Sequence, residues 1–244
     1  CSSDLMTKSN YLIWLVAAVL YGLVRMLKRK HYLRDAGYLI VLTVLALSVQ
    51  PLVRRHYERV GNVELGDAIP YVSWIAMGLN ESEIAPGWYN YSYTLHNFEY
   101  SDFNAKEAAS RSREVIKERM QYFMHHTQYA NDFFYLKIAS QWNDTSYQSI
   151  WNNIVRYQYK DKGKLAGWVC NEGKDMTKQL MDYFGQLVFF AFCAGCVQML
   201  RRREFLMTPF PIIFLGGFFY QLLSEAKSQY ILPYFIVMTG FAAF

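Results

Sequence analysis

The chain has 244 residues, 53% of them hydrophobic and 18% aromatic, with a formal net charge of +5 and a mean hydropathy of -0.01. That near-zero average conceals segregation: apolar residues gather in blocks toward the two ends and leave a polar middle, which argues against an ordinary water-soluble domain. Between residues 54 and 184 the 15 basic and 16 acidic side chains almost cancel, so the positive excess lies in short loops beside apolar blocks and argues against a nucleic-acid partner.

Residues 1–5, CSSDL, stand before MTKSN and read as a translated adapter scar, outside fold reasoning. Five apolar blocks follow: Tyr11–Leu27, Ala36–Val53, Gly185–Leu200, Phe205–Leu223 and Tyr230–Phe244. A helix crossing a bilayer core needs about 20 apolar residues, with roughly 17 as the short limit. Five membrane helices are therefore expected, two in residues 6–53 and three in 185–244, the last truncated as in a fragment of a longer protein. The loop RMLKRKHYLRDA at 25–36 and RRRE at 201–204 are rich in Arg and Lys, which holds short loops in the cytoplasm. An even number of crossings separates them, so the start of the chain, residues 54–184 and the loop 224–229 are expected on the outer side of a plasma membrane. The expected fold class is α: polytopic membrane helices with an inserted, mainly helical extracytoplasmic domain.

Within 54–184, Pro70, Gly78, Pro86 and Gly87 interrupt an aromatic stretch with no sustained period, which reads as loops and short helices. Trp74, Trp88, Tyr89 and Tyr91 combine apolar bodies with polar tips. They suit a belt in lipid headgroups, or a rim that stacks on sugars while Asn and Tyr side chains donate hydrogen bonds. From Asn104, a helix N-cap with Glu107 three residues on, Ala108, Ala109, Val115, Ile116, Met120, Phe123 and Met124 recur at helical spacing. A second helix is expected from Asn131 to Trp142, with Phe134, Ile138 and Trp142 at i, i+4 and i+8. His125 and His126 are adjacent, diverge by about 100° on a helix and make a poor chelate, so no metal is expected. Cys193 and Cys196 of CAGC lie in an apolar block and read as small packing residues, and with Cys170 they offer no disulfide framework. Asn80, Asn90 and Asn143 each open an Asn-x-Ser/Thr triplet. No Gly-rich phosphate loop, nucleophile elbow or His-Glu-x-x-His is present, and no cofactor is expected.

PYVSWIAMGLN at 70–80, GWYN at 87–90, the hairpin with Lys137 and QWND at 141–144, and SEAKSQYILPYF at 224–235 occur in this order. Together they resemble the C-terminal half of bacterial polytopic membrane glycosyltransferases of the C-type superfamily, in particular the protein-mannosyltransferase-like family 39. The resemblance covers nearly all of residues 11–244. It implies transfer of a sugar from a polyprenyl-phosphate carrier to a cell-envelope acceptor, with the catalytic acid in an N-terminal half outside this chain. It further implies that Lys227 steadies the leaving phosphate, that Glu225 orients Lys227 or a sugar hydroxyl, and that Tyr230 donates to a phosphate oxygen. Trp74, Asn80, Tyr89 and Asn90 then belong to the substrate-binding set. A cation placed where a leaving phosphate develops negative charge favours the transition state over the ground state. From position alone, Glu225 and Lys227 also suit an interfacial loop whose lysine reaches the headgroups. The competing function is a non-enzymatic membrane protein that binds a cell-envelope component. A transporter is disfavoured because the apolar blocks hold almost no ionisable residue.

Overall fold

The computed structural model describes residues 11–28, 32–156 and 163–243. The five residues read as a scar, and Arg29 and Lys30 of the first basic loop, lie outside the described residues. Among the described residues the secondary structure is helical, with no strand: α1 (Tyr11–Lys28), α2 (Tyr32–Gly61), α3 (Tyr71–Gly78), α4 (Leu95–Tyr100), α5 (Ala105–His125), α6 (Thr127–Trp142), α7 (Ser149–Arg156), α8 (Lys164–Cys170), α9 (Lys174–Arg202), α10 (Pro209–Leu223) and α11 (Leu232–Ala242), with 3-10 turns at Tyr91–Tyr93, Phe205–Met207 and Ser228–Tyr230.

Among the described residues two helices are long and apolar enough to cross a bilayer, over Ala36–Gly61 and Lys174–Arg202. Both outrun the apolar blocks that announced them, because hydropathy marks the lipid-length part of a helix and not its ends. α2 continues eight residues past Val53. An Arg54–Glu58 ion pair at 2.9 Å supports this polar end. It stops where Asn62 takes the left-handed conformation at φ 48°. α9 begins eleven residues before Gly185. The other apolar helices are shorter: α1 has 18 residues, α10 has 15 and α11 has 11. The block expected from Phe205 opens with a 3-10 turn, and the one from Tyr230 becomes α-helical only at Leu232.

The chain divides into two compact units, one of residues 1–67 with 196–217, the other of residues 68–195 with 218–244. In the first, α1 and α2 lie side by side. Gly22 permits this approach, since a Cβ there would stand 2.5 Å from Leu39 Cδ1.

In the second unit, Pro70 opens α3 with φ at -66°, the angle its ring imposes. α3 lies against α5 through small residues: Ser73, Ala76, Ala108 and Ser112 are all buried, and the Ser73 and Ser112 hydroxyls share a hydrogen bond of 2.7 Å. Asn104 caps α5 as expected, accepting from Lys106 N at 3.0 Å and Glu107 N at 3.2 Å. The reciprocal half of a capping box is replaced by a Glu107–Arg111 pair. Leu79, Phe123 and Phe133 form a core with Ile75, Ile116, Tyr129 and Phe134 around it. The Arg119 guanidinium lies 4.8 Å from the Phe123 ring centroid and donates to Leu79 O at 2.8 Å. A cation is thus satisfied at the edge of an aromatic cluster.

Three expectations for the hairpin change. Met120 and Met124 face outward, 44% and 65% exposed, while Ser112 takes the buried place. α6 starts at Thr127, four residues before Asn131, because the chain turns directly at His126, whose side chain makes no cap bond to the new helix. The fully buried stripe of α6 is Phe133, Lys137 and Gln141, each 2% exposed or less. It lies one residue from the expected stripe of Phe134, Ile138 and Trp142, of which Trp142 alone is buried. Trp142 meets Phe218 and Tyr234 at ring-centroid distances of 5.6 Å and 6.2 Å. On α9, Cys193 is exposed, so it is not a packing residue. The close contact belongs to Gly195, where a Cβ would stand 2.9 Å from Phe241 Cε1.

Candidate functional site

Every α-helix leaves its last carbonyls without intrahelical partners and carries partial negative charge at that end. In the second unit two such ends meet, Gly78 closing α3 and Ser224 following α10. Between them stands Lys137. Its Nζ donates to Gly78 O and, at 2.8 Å, to Ser224 O. The lysine has no exposed surface. Burial depresses its pKa from 10.5 to about 7, since an ammonium in a dry setting loses hydration that carbonyl dipoles only partly replace.

The convergence depends on two glycines. A Cβ on Gly78 would fall on the Ser224 carbonyl group. Gly87 adopts φ +75°, and a Cβ there would stand 2.6 Å from Gly78 O and 2.7 Å from Lys137 Nζ. Its own carbonyl accepts from Ala226 N at 2.7 Å. Gly87 is therefore required by its backbone angle and by its neighbours.

Further contacts hold the segment Ser224–Tyr230. Gln141 Nε2 donates to Gln221 Oε1 at 3.0 Å and to Lys227 O at 3.4 Å. Ser228 Oγ donates to Asp144 Oδ2 at 2.6 Å. The same Asp144 carboxylate accepts from Ser146 N and Gln148 N, both at 3.2 Å, so it braces the turn after α6 as well as the segment. MGLN, GWYN, Lys137, QWND and SEAKSQY, spread over some 150 positions of sequence, thus meet at one polar junction.

The site residues named from sequence divide into three groups. Glu225 is nearly buried and accepts from Tyr230 OH at 2.9 Å, while the Lys227 ammonium stands 5.8 Å from the Tyr230 ring centroid. These three are together, Tyr230 being in contact with both charged side chains. Asn80 and Asn90 are close to the junction, yet their amides serve the backbone. Asn80 Nδ2 donates to Ala76 O at 2.7 Å. Asn90 accepts from Ser92 N and donates to Glu81 O at 3.1 Å. With Asn80 6% exposed, its Asn-x-Ser triplet presents no free amide, whereas Asn143 is exposed. The aromatic set separates too: Tyr89 and Tyr91 are 48% and 44% exposed, Trp74 is half-buried, and Trp88 is interior. Trp88 Nε1 donates to Ser140 Oγ at 2.9 Å, so it belongs to no headgroup belt.

His125 and His126 each turn Nδ1 to a carbonyl four residues back, and His126 stacks on Tyr122 at 4.1 Å. Among the described residues no group of His, Cys, Asp and Glu could hold a metal ion. The junction itself offers the Lys227 ammonium on a tied-down segment, a donor suited to a phosphate or a sugar hydroxyl, with the Tyr230 hydroxyl proton beside it given to Glu225. Sequence reasoning quoted Lys137 but gave it no role. The signal was its place four residues after Phe133 and four before Gln141, on one helical face. Comparison with known protein families, with curated proteins and with solved structures finds no match to this chain.

Proposed function

We propose that this chain is the carrier-binding half of a multi-pass membrane glycosyltransferase that moves a sugar from a polyprenyl-phosphate donor to an acceptor outside the cytoplasm. The observation that carries this reading is the meeting of the five motifs of the family resemblance at a single junction that presents Lys227 and Tyr230. Lys227 binds the carrier phosphate as a charge-assisted donor; when the carrier binds, the single Tyr230 hydroxyl proton, which Glu225 accepts in the free chain, turns to the same phosphate. The carboxylate that activates the acceptor belongs to the N-terminal half of the intact enzyme. In that reaction the bond from the anomeric carbon to phosphate oxygen breaks as the acceptor oxygen bonds to that carbon. The acceptor's proton passes to the carboxylate, and the phosphate leaves with its charge beside Lys227.

The test is binding of a short carrier, farnesyl phosphate, to the full chain in lipid nanodiscs. A charge-assisted contact to phosphate contributes about 1.5 to 3 kcal/mol, so Lys227→Met should weaken binding roughly 10-fold to 100-fold. Lys227→Arg should keep part of the affinity, since charge survives while geometry differs. Wild-type affinity in Lys227→Met would return Ser224–Tyr230 to a loop that joins two helices.

A further inference from the structure

The segment that carries Glu225, Lys227 and Tyr230 starts at Ser224, and Ser224 is held by a side chain 87 residues away in sequence. We propose that Lys137 is a positioning residue for the phosphate site: by bridging the carbonyls of Gly78 and Ser224 it fixes where the segment 224–230 stands, and with it the Lys227 ammonium. The inference rests on the reading of that segment as the carrier-phosphate site.

The geometry favours a holder over a partner of the ligand. Lys137 has no exposed surface, so its ammonium does not meet a phosphate itself. Both of its recorded bonds go to main-chain carbonyls at helix ends, and each moves with the backbone it belongs to. The segment gains its other ties on the same side: Ala226 N to Gly87 O at 2.7 Å, Gln141 to Lys227 O at 3.4 Å and Ser228 to Asp144 at 2.6 Å. Of these donors only Lys137 changes charge within the accessible pH range. The charged groups nearest it on the elements around it include Glu81, Glu83, Arg119, Asp132, Asp144, Glu225 and Lys227, with Arg119 donating to Leu79 O beside Gly78. None forms an ion pair with Lys137 among the described residues, and burial is the cause that moves its pKa.

A role in holding the segment has a proton signature that ordinary packing lacks. When the segment lifts, Lys137 is rehydrated and regains a pKa near 10.5, against about 7 when closed. Opening therefore takes up a proton between those two values. Closure gains nothing below about pH 7 and strengthens as the pH climbs toward 10.5, by at most about tenfold per pH unit.

The experiment is hydrogen exchange of the wild-type chain in nanodiscs from pH 6 to pH 10, corrected for intrinsic exchange rates, together with farnesyl phosphate binding. Protection of the Ala226, Tyr230 and Ile231 amides should be flat below about pH 7 and rise above it, while amides in the middle of α5 show no such rise. In Lys137→Met the rise should vanish, and affinity for farnesyl phosphate should fall about as far as in Lys227→Met although Lys227 is intact. The wild-type profile needs no variant, so it decides even if Lys137→Met does not fold. A flat wild-type profile overturns the proposal, as does a folded Lys137→Met that binds farnesyl phosphate like wild type. Should Lys227→Met also bind like wild type, the phosphate site is refuted, and the exchange profile then supports or overturns Lys137 as the holder of the segment.

Discussion

Replacing Gly87 by alanine tests whether three stretches of main chain truly meet at Lys137. The new Cβ would lie 2.6 Å from Gly78 O and 2.7 Å from both Cε and Nζ of Lys137, where ordinary contact begins at 3.4 Å. Those atoms have little room to retreat: Gly78 O is bonded to the Lys137 ammonium, and Gly87 O holds Ala226 N at 2.7 Å. An alanine at φ +75° costs about 1 to 2 kcal/mol by itself. Displacing one donor of a buried ammonium adds about 1 to 3 kcal/mol. The loss is therefore roughly 2 to 5 kcal/mol, which at about 2 to 4 °C per kcal/mol lowers the melting temperature by about 4 to 20 °C. Differential scanning fluorimetry of the chain in detergent reads this directly. Gly37→Ala is the control. Gly37 lies inside α2 with nothing within 4 Å of its would-be Cβ, so alanine there should leave stability unchanged or raise it by up to about 1 kcal/mol. Equal melting temperatures for Gly87→Ala and Gly37→Ala would refute the close approach on which the site is built.

Tyr234→Phe should be neutral or slightly stabilising, by up to about 1 kcal/mol, because the buried Tyr234 hydroxyl has no hydrogen-bond partner among the described residues; a clear drop in melting temperature would show that this oxygen has a partner. Asn104→Ala should destabilise by about 1 kcal/mol through loss of the α5 cap, seen as a lower midpoint in thermal unfolding, whereas Asn131→Ala, at a residue that caps nothing, should have little effect. For the arrangement across the membrane, cysteines placed at the exposed Lys117 and Arg201 should be labelled from outside and from inside intact cells respectively, and the reverse pattern would overturn the proposed orientation.

What the sequence made legible follows from which physical signal each element carries. The α5 cap was readable because Asn104 has a carbonyl oxygen at the right place to meet two free amides, a local event. The start of α6 was not, because no side chain caps it: the turn at His126 is a backbone event, and Asn131, a good capping residue, sits four positions inside the helix. The ends of α2 and α9 escaped for the converse reason. Hydropathy reports where a helix is apolar, whereas ion pairs such as Arg54–Glu58 let it continue in polar company. At the site, the order of motifs announced that distant residues belong together, but not what joins them. The linking group is a lysine, and a lysine on a helix ordinarily reads as a solvated side chain. Only the tertiary structure shows two helix C-termini arriving at its ammonium.

That arrangement explains why polar residues occupy the centre of a unit in which aromatic rings make many of the other contacts. Ring contacts such as Trp142–Phe218 and Phe189–Phe235, at 5.6 Å and 5.1 Å, fix a spacing but tolerate sliding, since apolar contact is only weakly directional. Carbonyls at helix ends are directional, and buried without a donor each would cost about 1 to 3 kcal/mol. One side chain with several N–H groups satisfies two of them together, provided both helices end within reach of it. Helix lengths, the bare Cα of Gly78 and the left-handed turn at Gly87 meet that condition. A sliding core is thereby given one register, and the segment that emerges from it inherits a fixed position. For the proposed site, in which one ammonium would have to find one phosphate, that register matters more than the energy of any single contact.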